Sequence, residues 1–275
     1  MTKITASDVA SLRKITGAGM MDCKQALIEN NGDVEKAIEH LRKKGQKIAA
    51  KREDRDAKEG CVLSGVTKDK LFGATIVLNC ETDFVAKNED FIAVAESILN
   101  TALENKTKDK KTLLTLTING ETIADIVTAQ MGKIGEKIEL SYLSVVEAQE
   151  VVAYIHPGNR LATLVGFNQA LSDEQIGKDV AMQVAAMSPV SIDKDDCPTD
   201  IIEKEIEIGK EQARQEGKPE AMLEKIALGK LNRFYRDSTL LNQAFVKDSK
   251  QTISQYLSSM QKDLTVTAFD RFSLS

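Results

Sequence analysis

Asn79-Cys80-Glu81-Thr82-Asp83-Phe84-Val85-Ala86-Lys87 joins two readable patterns. Upstream, Ala74 to Leu78 is an apolar run of strand length. Downstream, Phe91, Ile92, Ala95, Ile98, Leu99, Ala102 and Leu103 recur at helical spacing behind Asn88, a residue type that caps helix starts. The stretch therefore reads as a strand-to-helix connection, a place where rigid frames often carry working residues. Phe84 is the odd residue in it. Phe is usually buried, so folding back into the core is the ordinary reading, and a surface contact is the alternative.

Working outward, Cys61 to Val66 and Leu71 to Cys80 read as two strands joined by a turn at Thr67-Lys68-Asp69-Lys70. After the helix, Asn105 to Thr112 is basic and polar and reads as loop. A shorter helix is expected from about Glu121 to Met131 and a strand from Lys137 to Val146. The pattern then recurs. Val151 to His156 and Arg160 to Phe167 are strand-like around Pro157-Gly158, and Ile176, Val180, Val184 and Met187 make the stripe of another helix. Ala74-Thr75-Ile76-Val77 and Ala162-Thr163-Leu164-Val165 fall on corresponding strands, which points to two related α/β subdomains. The second connection, Asn168-Gln169-Ala170-Leu171, lacks an Asp-Phe pair, which favours a local task for Phe84.

The flanks are helical. Three short helices are expected before residue 45: Ala6 to Ile15 with Val9, Leu12 and Ile15 on one face, Asp22 to Glu29, and a third capped by Asp33, striped by Val34, Ala37, Ile38 and Leu41 and ended by Gly45. Met20 and Met21 sit at the corner between the first two. They are either core filling or a flexible apolar grip for a partner. Lys51 to Glu59 is charged at eight of nine positions and reads as a linker, with a boundary near residue 55. From 200 to 236, thin stripes (Ile202, Ile206, Ala213 against Met222, Ile226, Leu231) around Gly217-Lys218-Pro219 predict a projecting helical hairpin. The chain then returns to core with a helix near Ile253 to Met260 and a last strand from Leu264 to Phe272.

Composition excludes several functions. The chain has 275 residues, 42% hydrophobic and 29% charged, with a net charge of −5. That balance argues against nucleic acid as a direct partner, because phosphate binding needs a concentrated basic surface. No signal region or apolar run long enough to span a bilayer occurs, so neither membrane nor export is expected and the cytoplasm is. Four dispersed cysteines and two histidines form no metal pattern, and no cofactor is expected. Every Gly-Lys pair is followed by Ile, Asp, Glu, Pro or Leu, so there is no phosphate loop. With no recognisable triad either, an enzyme is not expected.

Two long motifs carry a resemblance. One is Leu12-Arg13 followed by Thr16-Gly17-Ala18-Gly19-Met20-Met21-Asp22-Cys23-Lys24, and the other is the opening stretch. Asn31-Gly32-Asp33, Lys133-Ile134-Gly135-Glu136 and Tyr154-Ile155-His156 support them. Together they make nearly the whole chain resemble the bacterial elongation factor Ts family, the guanine-nucleotide exchange factors for elongation factor Tu. The resemblance implies an α+β fold: a UBA-like three-helix domain (1–55), core subdomains at 56–140 and 141–275 with antiparallel sheets, and a coiled-coil insertion at 198–236. It implies that Thr82, Asp83, Phe84 and Val85 dislodge Mg²⁺ in the partner. It further implies that Arg13, Met20 and Met21 touch the partner's GTP-binding domain and that His156 lies toward its third domain. It also admits a dimer of heterodimers. The alternative is an adaptor that binds partners through the UBA-like domain without altering nucleotide release. This sequence departs from the family pattern in three places. Pro157 stands where His-Gly usually continues, Ser141-Tyr142 replaces a commonly basic pair, and the chain ends soon after Phe272 where many members continue into a helix.

Overall fold

The computed structural model describes residues 4–52 and 54–274. Thr5, whose hydroxyl accepts the Asp8 N–H while Asp8 answers the Thr5 N–H, starts α1 (Ala6–Thr16). After a glycine turn come α2 (Met20–Glu29) and α3 (Val34–Lys51), which bury Val9, Leu12, Cys23, Ala26, Leu27 and Ala37 among them. Three expectations fail here, the first being Val34, which heads the expected stripe of the third helix but is exposed at its start. Ile15 is exposed, because the buried stripe of α1 stops at Leu12. Gly45 does not end α3, which runs on to Lys51. Its missing side chain instead lets a neighbouring helix approach, since a Cβ on Gly45 would lie 3.3 Å from the Thr128 carbonyl.

The core follows: β1 (Glu59–Val66), β2 (Phe72–Cys80), a one-turn helix α4 (Asp83–Ala86), α5 (Glu89–Glu104), α6 (Lys110–Thr115), β3 (Thr117–Ile118), β4 (Glu121–Thr122), α7 (Ile123–Ile134) and β5 (Glu139–Glu147). α6 begins inside the stretch that reads as loop and runs past its end; Asp109 caps it and Leu113 anchors it in the core. The second half continues with β6 (Glu150–Ile155), β7 (Leu161–Phe167), α8 (Glu174–Met187), α9 (Thr199–Gln215), α10 (Glu220–Ser238), β8 (Ala244–Phe245), β9 (Asp248–Thr252), α11 (Ile253–Met260) and β10 (Val266–Ser273). Met187 is exposed at the end of α8, outside the stripe that buries Ile176, Val180 and Val184.

The two main sheets are three-stranded and antiparallel, in the orders β1-β2-β5 and β10-β7-β6. Each is a hairpin plus a later strand added beside the hairpin's second strand. They pack face to face through Val62, Val77 and Ala162 and through Val146, Val151 and Leu164. Ser64 donates across to the Thr163 carbonyl at 3.2 Å. α5 and α7 cover the outer face of the first sheet, and α8 and α11 that of the second. β2 is buried along its whole length because both its faces are covered, which is why it lacks polar alternation.

The repeat is real in topology but shifted in register. Ala74 and Ile76 face α5, whereas Ala162 and Leu164 face the opposite sheet. Residues with matching environments, Leu78 with Val165 and Cys80 with Phe167, are 87 positions apart, not the 88 that align the Ala-Thr tetrapeptides. A one-residue offset exchanges the faces of a strand.

α9 and α10 form an antiparallel hairpin turned by Gly217 (φ 73°). Its contact runs through Gly209, Ala213, Leu223, Ala227 and Leu231, and Met222 is exposed. The seam therefore differs from the expected stripe. Small residues bring the backbones together, with the Gly209 Cβ position only 3.1 Å from the Ala227 Cα. No helix among the described residues is long and apolar enough to cross a membrane.

Candidate functional site

β2 delivers the chain to Cys80, its last paired residue, opposite Glu59. Beyond it the backbone turns. Thr82 is extended and caps α4, its hydroxyl facing the Val85 N–H at 3.5 Å. Successive helical residues point about 100° apart. The turn that packs Val85 and Ala86 against the core therefore sends Phe84 outward, 84% exposed. Asp83, one residue earlier, is held by Lys87 at 2.6 Å, and that hydrogen bond and charge lower its pKa. Asn88 then accepts the Asp90 and Phe91 N–H groups and starts α5.

Two carboxylates fix this turn. Glu136 accepts the N–H groups of Glu81 (3.1 Å) and Thr82 (3.0 Å) and the Thr82 hydroxyl (2.7 Å). Glu81 accepts the Lys137 N–H at 2.6 Å, Arg52 at 2.7 Å and Arg55 at 3.0 Å. Burial alone would push Glu81 up, but the Lys137 N–H and the two guanidiniums outweigh it and hold its pKa at about 2. Cys80, whose thiol donates to the Thr82 carbonyl, is pushed up to about 12 by its burial, so it stays a neutral core group.

The other residues singled out from sequence lie in two clusters. Arg13, Met20 and Met21 are all exposed around the α1–α2 turn, with Met21 at 74%. The two methionines are the first residues of α2 and do not lie in the loop before it. That turn is tied to the focal one through the end of α7. Lys133 lies beside Gly17 and pairs with Asp90 in the first turn of α5, while Glu136 grips Thr82. His156 is exposed at the β6–β7 turn, its Nδ1 2.9 Å from the Tyr154 hydroxyl. Arg160 in the same turn pairs with Glu59, the residue opposite Cys80, so His156 lies at the same end of the sheets as Phe84. In the sequence, Glu136 and Glu81 stand only inside stretches that carry the family resemblance, with nothing that marks a role for either. Their partners are up to 56 residues away, and an acidic residue just past a Gly helix stop was the only local sign of Glu136.

An exposed Phe thus stands on a pinned turn, flanked by an ion-paired acid and joined through one helix end to two exposed methionines. Its sequence belongs to a known group. Residues 81–275 match the family model described as Elongation factor TS. The chain is 51% identical over 273 residues to elongation factor Ts of Porphyromonas gingivalis, covering 99% of this chain and 98% of the relative. It is 50% identical over 275 residues to that of Christiangramia forsetii, covering both chains completely. It is 52% identical over 270 residues to that of Amoebophilus asiaticus, covering 98% of each. The chain belongs to the elongation factor Ts family. The match to the family model begins at Glu81, inside the focal stretch, and the relatives extend the likeness across the α1–α2 turn.

Proposed function

We propose that this chain releases GDP from elongation factor Tu, the reading its family membership and its projecting turn jointly support. Phe84 enters the partner's GTP-binding domain beside the nucleotide, and Thr82, Asp83 and Val85 shape the approach, so that the Mg²⁺ bound with the phosphates is dislodged. Arg13, Met20 and Met21 grip the same domain and His156 reaches toward the partner's third domain. α1 to α3 act as a UBA-like module (1–55), the two sheets as core subdomains (56–140 and 141–275), and α9–α10 as a coiled-coil insertion (198–236). The chain works in the cytoplasm and makes or breaks no covalent bond.

The single observation that carries this reading is the exposure of Phe84 on a turn whose entry, the Glu81 and Thr82 N–H groups, is fixed within the protein. Thermodynamic linkage supplies the mechanism. A partner that binds the nucleotide-free form more tightly must weaken nucleotide binding by the same factor. Burying a Phe contributes roughly 1.5–3 kcal/mol, and each ~1.4 kcal/mol is tenfold in affinity. Phe84 alone is therefore too small to expel a tightly held nucleotide. Loss of the cation that neutralises the phosphates supplies more, and the other contacts supply the rest. An adaptor working through the helical module would have no use for a fixed, projecting Phe84.

Release of a fluorescent GDP analogue from elongation factor Tu tests the reading. The expected outcome is a release rate that rises with the concentration of this protein until it saturates. Binding without acceleration would turn the assignment to the adaptor.

A further inference from the structure

We propose that Glu136 is a positioning residue for exchange: it sets the angle and rigidity of the Phe84 turn and never touches the partner. The inference rests on the exchange-factor reading and adds to it the residue that holds the probe.

The geometry begins with unpaired donors. The β2 ladder ends at Cys80, so the N–H groups of Glu81 and Thr82 have no strand partner. Part-buried N–H groups need an acceptor, and one carboxylate oxygen of Glu136 takes both. Its second oxygen takes the Thr82 hydroxyl, fixing the side chain that caps α4. Both oxygens are thus occupied inside the chain, which leaves Glu136 working through the turn. Gly135 ends α7 in the left-handed conformation (φ 80°) and brings the carboxylate back across the turn. The return contact, Lys137 N–H to Glu81, closes a reciprocal staple between residues 81–82 and 136–137. A carboxylate accepting several N–H groups is a strong, directional restraint.

The consequence for exchange is preorganisation. A loose turn would spend binding free energy on its own ordering, and a probe displaced by about 1 Å can cost about a hundredfold in rate. Glu136→Gln is the discriminating substitution. An amide keeps the shape, but it can hold both backbone N–H groups only if the Thr82 hydroxyl reverses from donor to acceptor, and in either orientation the charge that strengthens the bonds is lost.

The experiment is a cycle of wild type, Glu136→Gln, Phe84→Ala and the double variant. It reads saturating GDP release from elongation factor Tu alongside backbone amide exchange at Glu81, Thr82 and Val85 and a thermal melt. Glu136→Gln is expected to slow release about tenfold and to speed amide exchange at the turn. In the Phe84→Ala background it should slow release by less than about twofold, because the probe it positions is gone. Equal slowing in both backgrounds, or unchanged turn amides, overturns the proposal. If Glu136→Gln melts well below wild type, Thr82→Val, which removes the hydroxyl's contacts with Glu136 and the Val85 N–H but leaves the carboxylate on the two backbone N–H groups, takes its place in the cycle with the same pattern expected. A wild type that accelerates nothing overturns the exchange-factor reading instead, and the amide arm still decides whether Glu136 holds the turn.

Discussion

The connection after β2 and the connection after β7 occupy the same place in two sheets of the same topology, and they do opposite things with their apolar side chains. Both are held by a distant carboxylate that accepts backbone N–H groups: Glu136 for residues 81 and 82, Glu150 for Leu171. After β7, Asn168 is bonded to Asp263 and Thr265, Gln169 reaches the Lys262 carbonyl, and Leu171 turns inward onto the second core. After β2, the local helix turns Val85 inward and Phe84 outward. Fixing a loop is therefore common to both halves. What differs is whether the fixed loop stores its apolar surface or displays it, and only displayed surface can do work on a partner.

Paired substitutions break or keep this contrast. Phe84→Ala should slow GDP release from elongation factor Tu by about 10- to 100-fold, the size expected if the free energy of burying one Phe is withdrawn from the complex. Its melting temperature should stay at the wild-type value, because an exposed side chain loses no contact on truncation. Leu171→Ala should do the reverse, costing about 1–2 kcal/mol of stability in denaturant titration while leaving release unchanged. If Phe84→Ala lowers stability and spares release, the two connections are alike and the display reading fails.

Much of this contrast was open to inspection in the chain itself. The strand run before Cys80, the Asn88 cap and the stripe from Phe91 are local patterns, and local patterns report local structure. The absence of an Asp-Phe pair after β7 was local too. Gly45 was misread because a glycine that ends a helix and one that admits a neighbour look the same in sequence; α7, which decides between them, lies some eighty residues on. The hairpin seam was misplaced for a related reason: Gly209 and Ala227 are contact residues because they are small, and stripe counting rewards large ones. The pins of the focal turn, Glu136 and Glu81, depend on which ends meet in space, and a charged residue among many carries no mark of that.

Acid offers a graded way to loosen one pin. Glu81 has a folded-state pKa of about 2 against an ordinary 4.5. A depressed carboxylate contributes stability that is fully present above about pH 4.5 and is lost as pH falls toward 2. Between pH 7 and pH 4 the loss from this group alone should be about 1 kcal/mol. The wild type should therefore lose that much more than Glu81→Gln over the same interval in urea titrations. Parallel pH dependence in the two proteins would show that the Lys137 N–H, Arg52 and Arg55 do not hold Glu81 in solution.

The smallest stability effect sharpens the comparison most finely. Asp83 is half-buried, and its partner Lys87, itself exposed, is four residues away on a single turn. Such surface pairs contribute little to folding. Asp83→Asn should therefore leave the melting temperature unchanged and keep Phe84 in place. Any slowing of GDP release by this variant then comes from a contact made in the complex. Lys87→Met separates the two roles that remain: it removes the same ion pair but leaves the carboxylate. If Asp83 serves the partner, Asp83→Asn slows release and Lys87→Met does not; if the ion pair only stiffens the turn, the two variants slow it equally. The first result extends the displayed surface from one residue to two, and the second returns Asp83 to the set of groups that hold the turn, beside Glu81 and Glu136.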